Sequence, residues 1–226
     1  MATPPSPERF VPVADPRPED VPWPPMQWPP GPAVRLRGQY VELAPCDPAR
    51  DAPALFAALD ADVVWRHLHL SRPRDAGQHR ELLVRQESPD RWTWIVRLLR
   101  SVGGLPAGAV VGTTSYAFAS PKDARLEIGG TAYAPAVWAS KVNPEAKLLL
   151  LEHAFEVLRA GRVQLKTDAR NVRSQQAIAR LGARYEGTLR RERRRADGTV
   201  RDSVLFSIIA EEWPGVREGL MARLRE

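Results

Sequence analysis

The sequence lacks the residues on which several classes of protein depend. It has one cysteine, Cys46, which excludes an intrachain disulfide framework and a cysteine-based zinc cluster. Cys46 itself is expected to be a small buried apolar residue. The longest notable apolar run, 148–151, is far shorter than the ~20 residues of a membrane-spanning helix. Because the N-terminus also lacks the charged-then-apolar order of a secretory signal, we expect a cytoplasmic protein.

Motifs for metals and nucleotides are missing as well. His67 and His69 could share one strand face, but no further ligand stands at a recognisable spacing, so no metal site is expected. The glycine-rich segment 103–108 leads into a predicted strand, which excludes a dinucleotide-binding turn. The sequence has no nucleophile elbow, the strained turn that Ser/His/Asp hydrolases use.

Arginine and proline are present in excess. Arginine supplies 29 of the 33 basic residues, and the net charge of +6 favours an anionic partner. Twelve of the 22 prolines lie in residues 1–32, which predicts an extended arm rich in proline and tryptophan. Trp23 and Trp28 of this arm either pack on the chain's own domain or reach a second subunit or partner. Residues 33–226 are expected to form one folded domain.

Strand and helix patterns alternate along residues 33–226, which indicates an α/β domain. Strands are predicted at Arg35–Leu43, Trp92–Leu99, Ala109–Phe118, Arg125–Tyr133, Arg162–Asp168, Arg184–Arg194 and Val200–Ala210. Helices are predicted at Pro48–Asp62, Ala76–Glu87, Asn171–Leu181 and Pro214–Arg225. One more helix is expected to begin with Asn143 as N-cap and Pro144 at its first position, and to end at Gly161.

Three segments in this order carry candidate chemistry. Glu127 lies on a strand that contains the pair Gly129-Gly130, and paired glycines indicate a bulge or the close approach of a backbone or ligand. The loop 137–143 leads into a helix start, where free N–H groups and the helix dipole favour an anion. The segment 171–174 begins the helix after the next strand.

Together these segments resemble the GNAT superfamily of N-acetyltransferases, nearest to its ribosomal-protein N-terminal acetyltransferase (Rim-type) branch. The likeness covers residues of about 34–213 and is carried by LEIG at 126–129, NPEAKLLLL at 143–151, NVRS at 171–174, ARLGA at 179–183, and the hairpin from LRR at 189–191 through DG at 197–198 to VLFSI at 204–208. The resemblance implies an α/β fold whose mixed, mostly antiparallel sheet splays around acetyl-CoA, with flanking helices. The opening is expected between Arg125–Tyr133 and Arg162–Asp168.

The resemblance also implies a reaction. Acetyl-CoA, without a metal, would be the cosubstrate, and a primary amine would attack its thioester directly. This amine could belong to a protein N-terminus or to a small molecule. Glu127 matches the family's base position, and Ser174 matches the position beside the sulfur. The implied cosubstrate contacts are Thr131, Tyr133, Ala139, Ser140, Lys141, Val142, Asn143, Asn171 and Ser174. A homodimer is implied too.

Each of these residues has a structural alternative. Glu127 could pair with Arg125 or with an arginine on a neighbouring strand. Ser174 could simply satisfy backbone donors in a first helical turn, and Asn171 could be an N-cap with or without a contact to pantetheine.

Three positions depart from the family pattern. Trp138 replaces the usual arginine or glutamine of the phosphate loop, and Lys141 replaces its glycine. Lys141 could contact phosphate or crowd the backbone. Gly130 stands where relatives often have a large aromatic residue, which would widen or weaken the acceptor side.

A second class of function stays open in the sequence. The chain could be a catalytically degenerate CoA-binding protein, or an RNA-binding protein that uses the basic hairpin 184–201 with its seven arginines. Tyr185 is the only aromatic residue in this hairpin, which argues against a base-stacking platform. A solvated hairpin with paired arginines is favoured, so nucleic acid is not expected as a partner.

Overall fold

One eight-stranded sheet organises the fold of the computed structural model, which describes residues 11, 12, 14 and 22–226. Its strands are β1 (Leu36–Arg37), β2 (Val41–Pro45), β3 (Trp92–Leu98), β4 (Val110–Ser120), β5 (Arg125–Tyr133), β6 (Arg162–Asp168), β7 (Arg184–Arg194) and β8 (Val200–Ile209). The strand order is β1-β2-β3-β4-β5-β6-β8-β7, and β5 with β6 is the one parallel pair in the described sheet. The predicted mixed, mostly antiparallel sheet is therefore confirmed.

Six α-helices cover the two faces of this sheet. They are α1 (Pro48–Leu59), α2 (Asp62–Trp65), α3 (Ala76–Arg85), α4 (Val142–Glu152), α5 (Val172–Ala179) and α6 (Trp213–Arg225). The larger apolar core lies under α4 and α6, and a smaller core with Leu55, Leu59 and Ile95 lies under α1 and α3. Half-buried Cys46 packs beside the smaller core, and burial raises the pKa of its thiol to about 12.

The sheet opens between β5 and β6. Their parallel pairing joins Arg125–Glu127 to Arg162–Gln164 and ends there, although both strands continue. The backbone edges of residues 128–133 and 165–168 therefore face an opening rather than each other. The splayed sheet that the resemblance implied is present, and Glu127 stands at the point of divergence.

The prediction of one continuous strand over Arg35–Leu43 is wrong, because a turn divides this segment into β1 and β2. Buried Glu145 of α4 accepts hydrogen bonds from the backbone N–H groups of Gln39, Tyr40 and Val41, at 2.7, 2.7 and 2.8 Å. A Cβ on Gly38 would collide with this carboxylate, so the turn needs glycine there. The carboxylate belongs to a residue 104 to 106 positions away, which local alternation does not reveal.

The start and the end of α4 also differ from the prediction. The helix begins at Val142 after Lys141 in the N-cap position, so Asn143 is not the N-cap and Pro144 is the third residue of the helix. Ser140 supplies the side-chain oxygen instead, accepting from the Val142 N–H at 3.2 Å. The α-helix ends at Glu152 and a π-helical segment, His153–Val157, follows it. The hydroxyl of buried Tyr116 donates to the Leu150 carbonyl, an insertion of the kind that disturbs a helical ladder.

The end of the proline-rich arm packs on the domain. Met26 is buried in the larger core, and the indole N–H of Trp28 donates to the Pro89 carbonyl at 2.8 Å. The indole N–H of Trp23 donates to the Arg159 carbonyl. These contacts favour the first of the two interpretations of the tryptophans, whereas most of residues 1–21 lie outside the described part of the chain. Within the described part, no helix is both long enough and apolar enough to span a bilayer.

Candidate active site

A cavity of about 520 Å³ occupies the opening between β5 and β6. This volume lies within the range of small-molecule sites. One end is lined by the loop before α4 and by α5, and we call it the loop end. The other end is lined by the segment 63–70, by α3, by the start of β3 and by residues of β7 and β8, and we call it the acceptor end.

Glu127 lies in the wall of this cavity, and one of its two carboxylate oxygens is hydrogen-bonded whereas the other is free. Its side chain is 9% exposed. Its Oε2 accepts from Gln164 Nε2 at 2.9 Å and lies 3.7 Å from Lys166 Nζ. Within residues 22–226, Oε1 makes no hydrogen bond, and it lies above Gly129, where an added Cβ would approach it to 2.8 Å. Arg125 lies 3.7 Å from Asp123 instead, so the expected Glu127–Arg125 alternative is not what forms.

The two glycines of β5 form a bulge. The register of β4 and β5 shifts in this part of the strand, and Gly130 has φ of +59°, which favours glycine. A Cβ at Gly130 would approach Nη2 of Arg91 to 2.8 Å. The space of a side chain at this position is therefore filled by a guanidinium.

Thr131 and Tyr133 line the cavity beyond the bulge, but part of each is engaged within the protein. Thr131 Oγ1 lies 2.8 Å from Thr114 Oγ1 and accepts from Lys147 Nζ at 2.7 Å. The carbonyl of Tyr133 accepts from the indole N–H of Trp138 at 3.0 Å. The buried Tyr133 hydroxyl has no partner among the described residues, and burial raises its pKa. Lys147 is a buried ammonium without a carboxylate partner there, and burial lowers its pKa to about 7.

The loop before α4 presents free backbone donors. Ala139 has φ of +57° and turns the chain, and Ser140 Oγ donates to the Val137 carbonyl at 2.6 Å. Among the described residues, the N–H groups of Ser140, Lys141 and Asn143 have no acceptor. Free donors at the positive end of a helix suit an anion such as a pyrophosphate.

Lys141 points its ammonium away from this loop. Its Nζ donates to the Leu224 carbonyl near the end of α6, at 2.8 Å. Neither Lys141 nor Val142 lines the cavity, whereas Ala139, Ser140 and Asn143 do. Any contact of Lys141 with an anion in the cavity would therefore have to come from its backbone N–H.

Asn171 and Ser174 lie together at the start of α5, in the wall of the cavity. Asn171 Oδ1 accepts from the Ser174 N–H at 3.1 Å, so Asn171 is the N-cap of this helix. In the described part of the chain, the Asn171 amide nitrogen and the Ser174 hydroxyl are without hydrogen bonds, so both are free for a ligand. The capping role and a ligand contact can therefore coexist.

Comparison with known proteins identifies the family. The family model described as the acetyltransferase (GNAT) domain matches residues 41–184. This chain belongs to the GNAT family. Its members use acetyl-CoA, and the free N–H groups, the bulge and the cavity fit that molecule, so the chain is an acetyl-CoA-dependent N-acetyltransferase. No curated protein matches it.

Solved structures agree with the assignment to the GNAT family. A protein described as an acetyltransferase from T. thermophilus is 40% identical, with 88% of this chain and 100% of that chain covered and a TM-score of 0.75. A GCN5-related N-acetyltransferase from Brucella melitensis is 27% identical over 89% of each chain, with a TM-score of 0.80. Mycobacterium smegmatis RimJ in complex with CoA-disulfide shares the fold at 22% identity, with 81% of this chain and 88% of that chain covered and a TM-score of 0.67.

One departure from the GNAT loop pattern is compensated by a remote residue. Trp138 stands where the pattern has arginine or glutamine, and the guanidinium of Arg173 on α5 stacks on its indole ring at 3.6 Å. Both residues line the cavity. A cation therefore lies beside the loop although the loop sequence does not supply it.

The sequence analysis missed the side chains that form the acceptor end. Arg91, Arg193 and Arg201 line the cavity there, with Lys166 and His69. The excess of arginine in the hairpin 184–201 could have indicated this site, but the arginines were interpreted as solvent-exposed residues. Arg195 of the same hairpin forms an ion pair with Asp168 at 2.6 Å, and Arg184 pairs with Glu212 at 2.8 Å.

Proposed function

We propose that the chain transfers acetyl from acetyl-CoA to a primary amine by direct attack within a ternary complex. The observation that carries this proposal is the Glu127 carboxylate at the point where β5 and β6 part, with one oxygen held by Gln164 and the other free. A carboxylate in this state can accept a proton without moving.

The proposed step balances as follows. The substrate ammonium gives one proton to Glu127, and the resulting amine nitrogen forms a bond to the thioester carbonyl carbon. The bond from carbon to sulfur then breaks, and the thiolate takes a proton, for which the free hydroxyl of Ser174 is the candidate donor. The nitrogen gives up its second proton in the same step, which yields the neutral amide and restores the hydroxyl, so one proton in total is left on Glu127 and one on the thiol. Backbone N–H groups between Thr131 and Tyr133 are the candidates for holding the carbonyl oxygen.

Different parts of the cavity would contact the pyrophosphate and the pantetheine of acetyl-CoA. The N–H groups of the segment 139–143 would bind the pyrophosphate, and the open edge of β5 from Gly130 to Tyr133 would pair with pantetheine. The Asn171 amide would support the same pantetheine. A homodimer and a cytoplasmic location stay predictions, and the acceptor is either a protein N-terminus or a small-molecule amine.

RNA binding by the hairpin stays the less favoured alternative to the solvated hairpin, and the arrangement of its arginines gives it little support. Of its seven arginines, two line the cavity and two form ion pairs with carboxylates outside the hairpin. Arg190, Arg191 and Arg194 remain as exposed cations.

The proposal is tested by calorimetric titration with acetyl-CoA, followed by a thiol-release assay with a panel of primary amines. We expect binding and turnover of some amine. Glu127→Gln is expected to keep the acetyl-CoA Kd and to lower kcat/KM by about 10²- to 10⁴-fold, because a positioned base is lost. Glu42→Gln, which removes a carboxylate paired with Arg37 at the sheet edge, is the matched control. Unchanged turnover in Glu127→Gln would refute the assignment of the base.

A further inference from the structure

The acceptor end of the cavity holds more positive charge than the protein neutralises. Among the residues that line the whole cavity, the carboxylates are Glu127 and Asp168, and Asp168 is bound to Arg195. Glu127 keeps its Oε1 free, and its Oε2 lies 3.7 Å from Lys166. Four cations line the acceptor end, namely Arg91, Lys166, Arg193 and Arg201. Glu192 pairs with Lys166 at 2.8 Å and lies 3.9 Å from Arg193, so Arg91 and Arg201 are the two without an ion pair among the described residues.

Arg201 is the most deeply buried of these cations. The residue is 7% exposed, and its Nε donates to Ser203 Oγ at 2.8 Å. In the described part of the chain, neither of its terminal nitrogens makes a hydrogen bond and no carboxylate forms an ion pair with it. Burial lowers its pKa. Burying a charge costs free energy unless an opposite charge is nearby. An anion bound at the terminal nitrogens of Arg201 would therefore supply the ion pair that the described residues do not.

Arg91 has hydrogen bonds but no anionic partner within residues 22–226. Its Nη2 donates to Gln86 Oε1 at 3.0 Å and to Ser115 Oγ at 2.9 Å, both uncharged. These two bonds hold the guanidinium over Gly130, the glycine of the β5 bulge. The arginine is thus fixed in orientation, and its charge is left uncompensated.

Arg91, Arg193 and Arg201 border the same part of the cavity. Arg193 Nη1 lies 3.5 Å from His69 Nε2. Burial is the main cause that lowers the pKa of His69, to about 4, and the charges of Arg193, Arg201 and Arg91 add to it. The charge of Glu127 acts on Arg91 and on Arg201 in turn. The carboxylate of Glu127 and these arginines therefore line one cavity and are close enough to act on each other through their charges.

This arrangement would repel a substrate that carries only an ammonium group. We propose that the acceptor is an amine that also carries an oxyanion group, a carboxylate or a phosphate, with the oxyanion bound by Arg91 and Arg201 and the amine directed to Glu127. Guanidinium groups suit this role because their N–H groups match the oxygens of carboxylate and phosphate. The inference rests on the proposed acetyl transfer and narrows its acceptor.

Matched pairs of amines test the proposal by thiol release. An α-amino acid is compared with its amide, which keeps the amine and removes the negative charge. Phosphoethanolamine and ethanolamine form the second pair, so the two pairs distinguish a carboxylate from a phosphate. We expect kcat/KM to favour the member with the oxyanion in one pair by about ten- to hundredfold, the range of a hydrogen bond to a charged group. Equal turnover within both pairs, or a preference for the member without the oxyanion, would overturn the inference.

Variants locate the effect. Arg201→Met and Arg91→Met are expected to lower the ratio of kcat/KM between the acceptor with the oxyanion and its partner without it by at least about tenfold, while the acetyl-CoA Kd stays unchanged. Arg201→Lys keeps the charge and should retain part of the preference. Arg184→Gln, on the same hairpin but outside the cavity, is the control. A merely structural role would lower turnover of both members of a pair equally and would contradict the assignment.

The proposed reaction and this inference can fail separately. If acetyl-CoA binds and no amine is turned over, the transfer reaction is refuted. Calorimetric binding of the amino acid and of phosphoethanolamine, each against its counterpart without the oxyanion and with CoA present, then decides on the oxyanion site. Tighter binding of a member with the oxyanion that is lost in Arg201→Met would support the site, and equal binding within both pairs would overturn it.

Discussion

The two ends of the cavity are built in different ways. The loop end consists mainly of free backbone N–H groups before α4 and of short polar side chains such as Asn171 and Ser174, all from two continuous segments. The acceptor end consists of long charged side chains from β6, β7, β8 and the residue before β3, which the sheet brings together. Backbone groups suit a cosubstrate that is the same for every member of the family. Side chains suit an acceptor that differs between members, because they can be substituted without altering the fold.

The same contrast holds for one buried cation at each end. Lys147, which lines the loop end, donates to Thr131 and Thr114 at 2.7 and 3.3 Å, so its N–H groups have partners within the protein although its charge has none among the described residues. Arg201 at the acceptor end has terminal nitrogens without a partner in the described chain. The ammonium of Lys147 is thus held by hydroxyls of the protein, whereas we infer that the terminal nitrogens of Arg201 are available to a ligand.

Replacing Lys147 sharpens this contrast and should have the largest effect. Because burial lowers its pKa to about 7, the folded protein releases this proton near pH 7, whereas the unfolded chain keeps it until about pH 10. The unfolded state then binds more protons, so stability rises from pH 7 to about pH 10. Lys147→Met should remove this rise and add on the order of 4 kcal/mol to the free energy of unfolding at pH 7.

Denaturant unfolding from pH 6 to pH 10 measures the effect as the difference between the two proteins. Other groups cancel in this difference, and Thr114 and Thr131 remain bonded to each other at 2.8 Å. Exposed Lys122 provides the control variant Lys122→Met, which should leave the pH dependence as it is. A constant difference across the pH range would show that Lys147 is not the responsible group.

A change at Glu145 tests how far the loop end depends on local sequence alone. This carboxylate, in the first turn of α4, accepts three backbone N–H groups of the turn between β1 and β2. Glu145→Ala leaves these donors partly or fully buried without an acceptor and should lower the free energy of unfolding by about 3 kcal/mol. Denaturant titration measures the loss.

Glu152→Ala is the matched control on the same helix. Glu152 is partly exposed and pairs with Arg217 at 2.9 Å, and such surface pairs contribute about 1 kcal/mol or less. If both variants lost equal stability, the three backbone hydrogen bonds of Glu145 would contribute no more than an exposed ion pair, and the turn would not depend on them.

The difference between the two ends also explains what could be predicted from the sequence. The bounds of β5, β6 and β7 were predicted correctly, because alternation and flanking turns are local signals. The loop before α4 and the start of α5 were recognised by motifs for the same reason. The division of β1 from β2 was missed because its cause is the remote Glu145. The π-helical segment 153–157 was missed because no local pattern marks it, and Tyr116, which contacts Leu150 and His153, lies on the remote strand β4.

The acceptor end was missed for a further reason. Arg91 lies about 100 positions before Arg193 and Arg201, and nothing near it in the sequence marks it as part of a site. The arginines of the hairpin were noticed, but their alternation along β7 and β8 does not reveal which of them point into the opening. Only the strand order, with β8 between β6 and β7, brings them beside Glu127.

Replacing Ser174 by alanine should have the smallest effect. This variant tests whether the loop end takes part in the acetyl transfer as well as in binding acetyl-CoA. The Asn171 cap binds the backbone N–H of Ser174 rather than its hydroxyl, so Ser174→Ala should keep the helix and the acetyl-CoA Kd. We expect kcat to fall about tenfold, because one hydrogen bond to the departing thiolate is lost. Single-turnover thiol release measures this step, with Gln176→Ala on the exposed face of α5 as the control. If Ser174→Ala weakened acetyl-CoA binding and left kcat unchanged, this end of the cavity would only bind the cosubstrate, and all proton transfer would belong to the acceptor end.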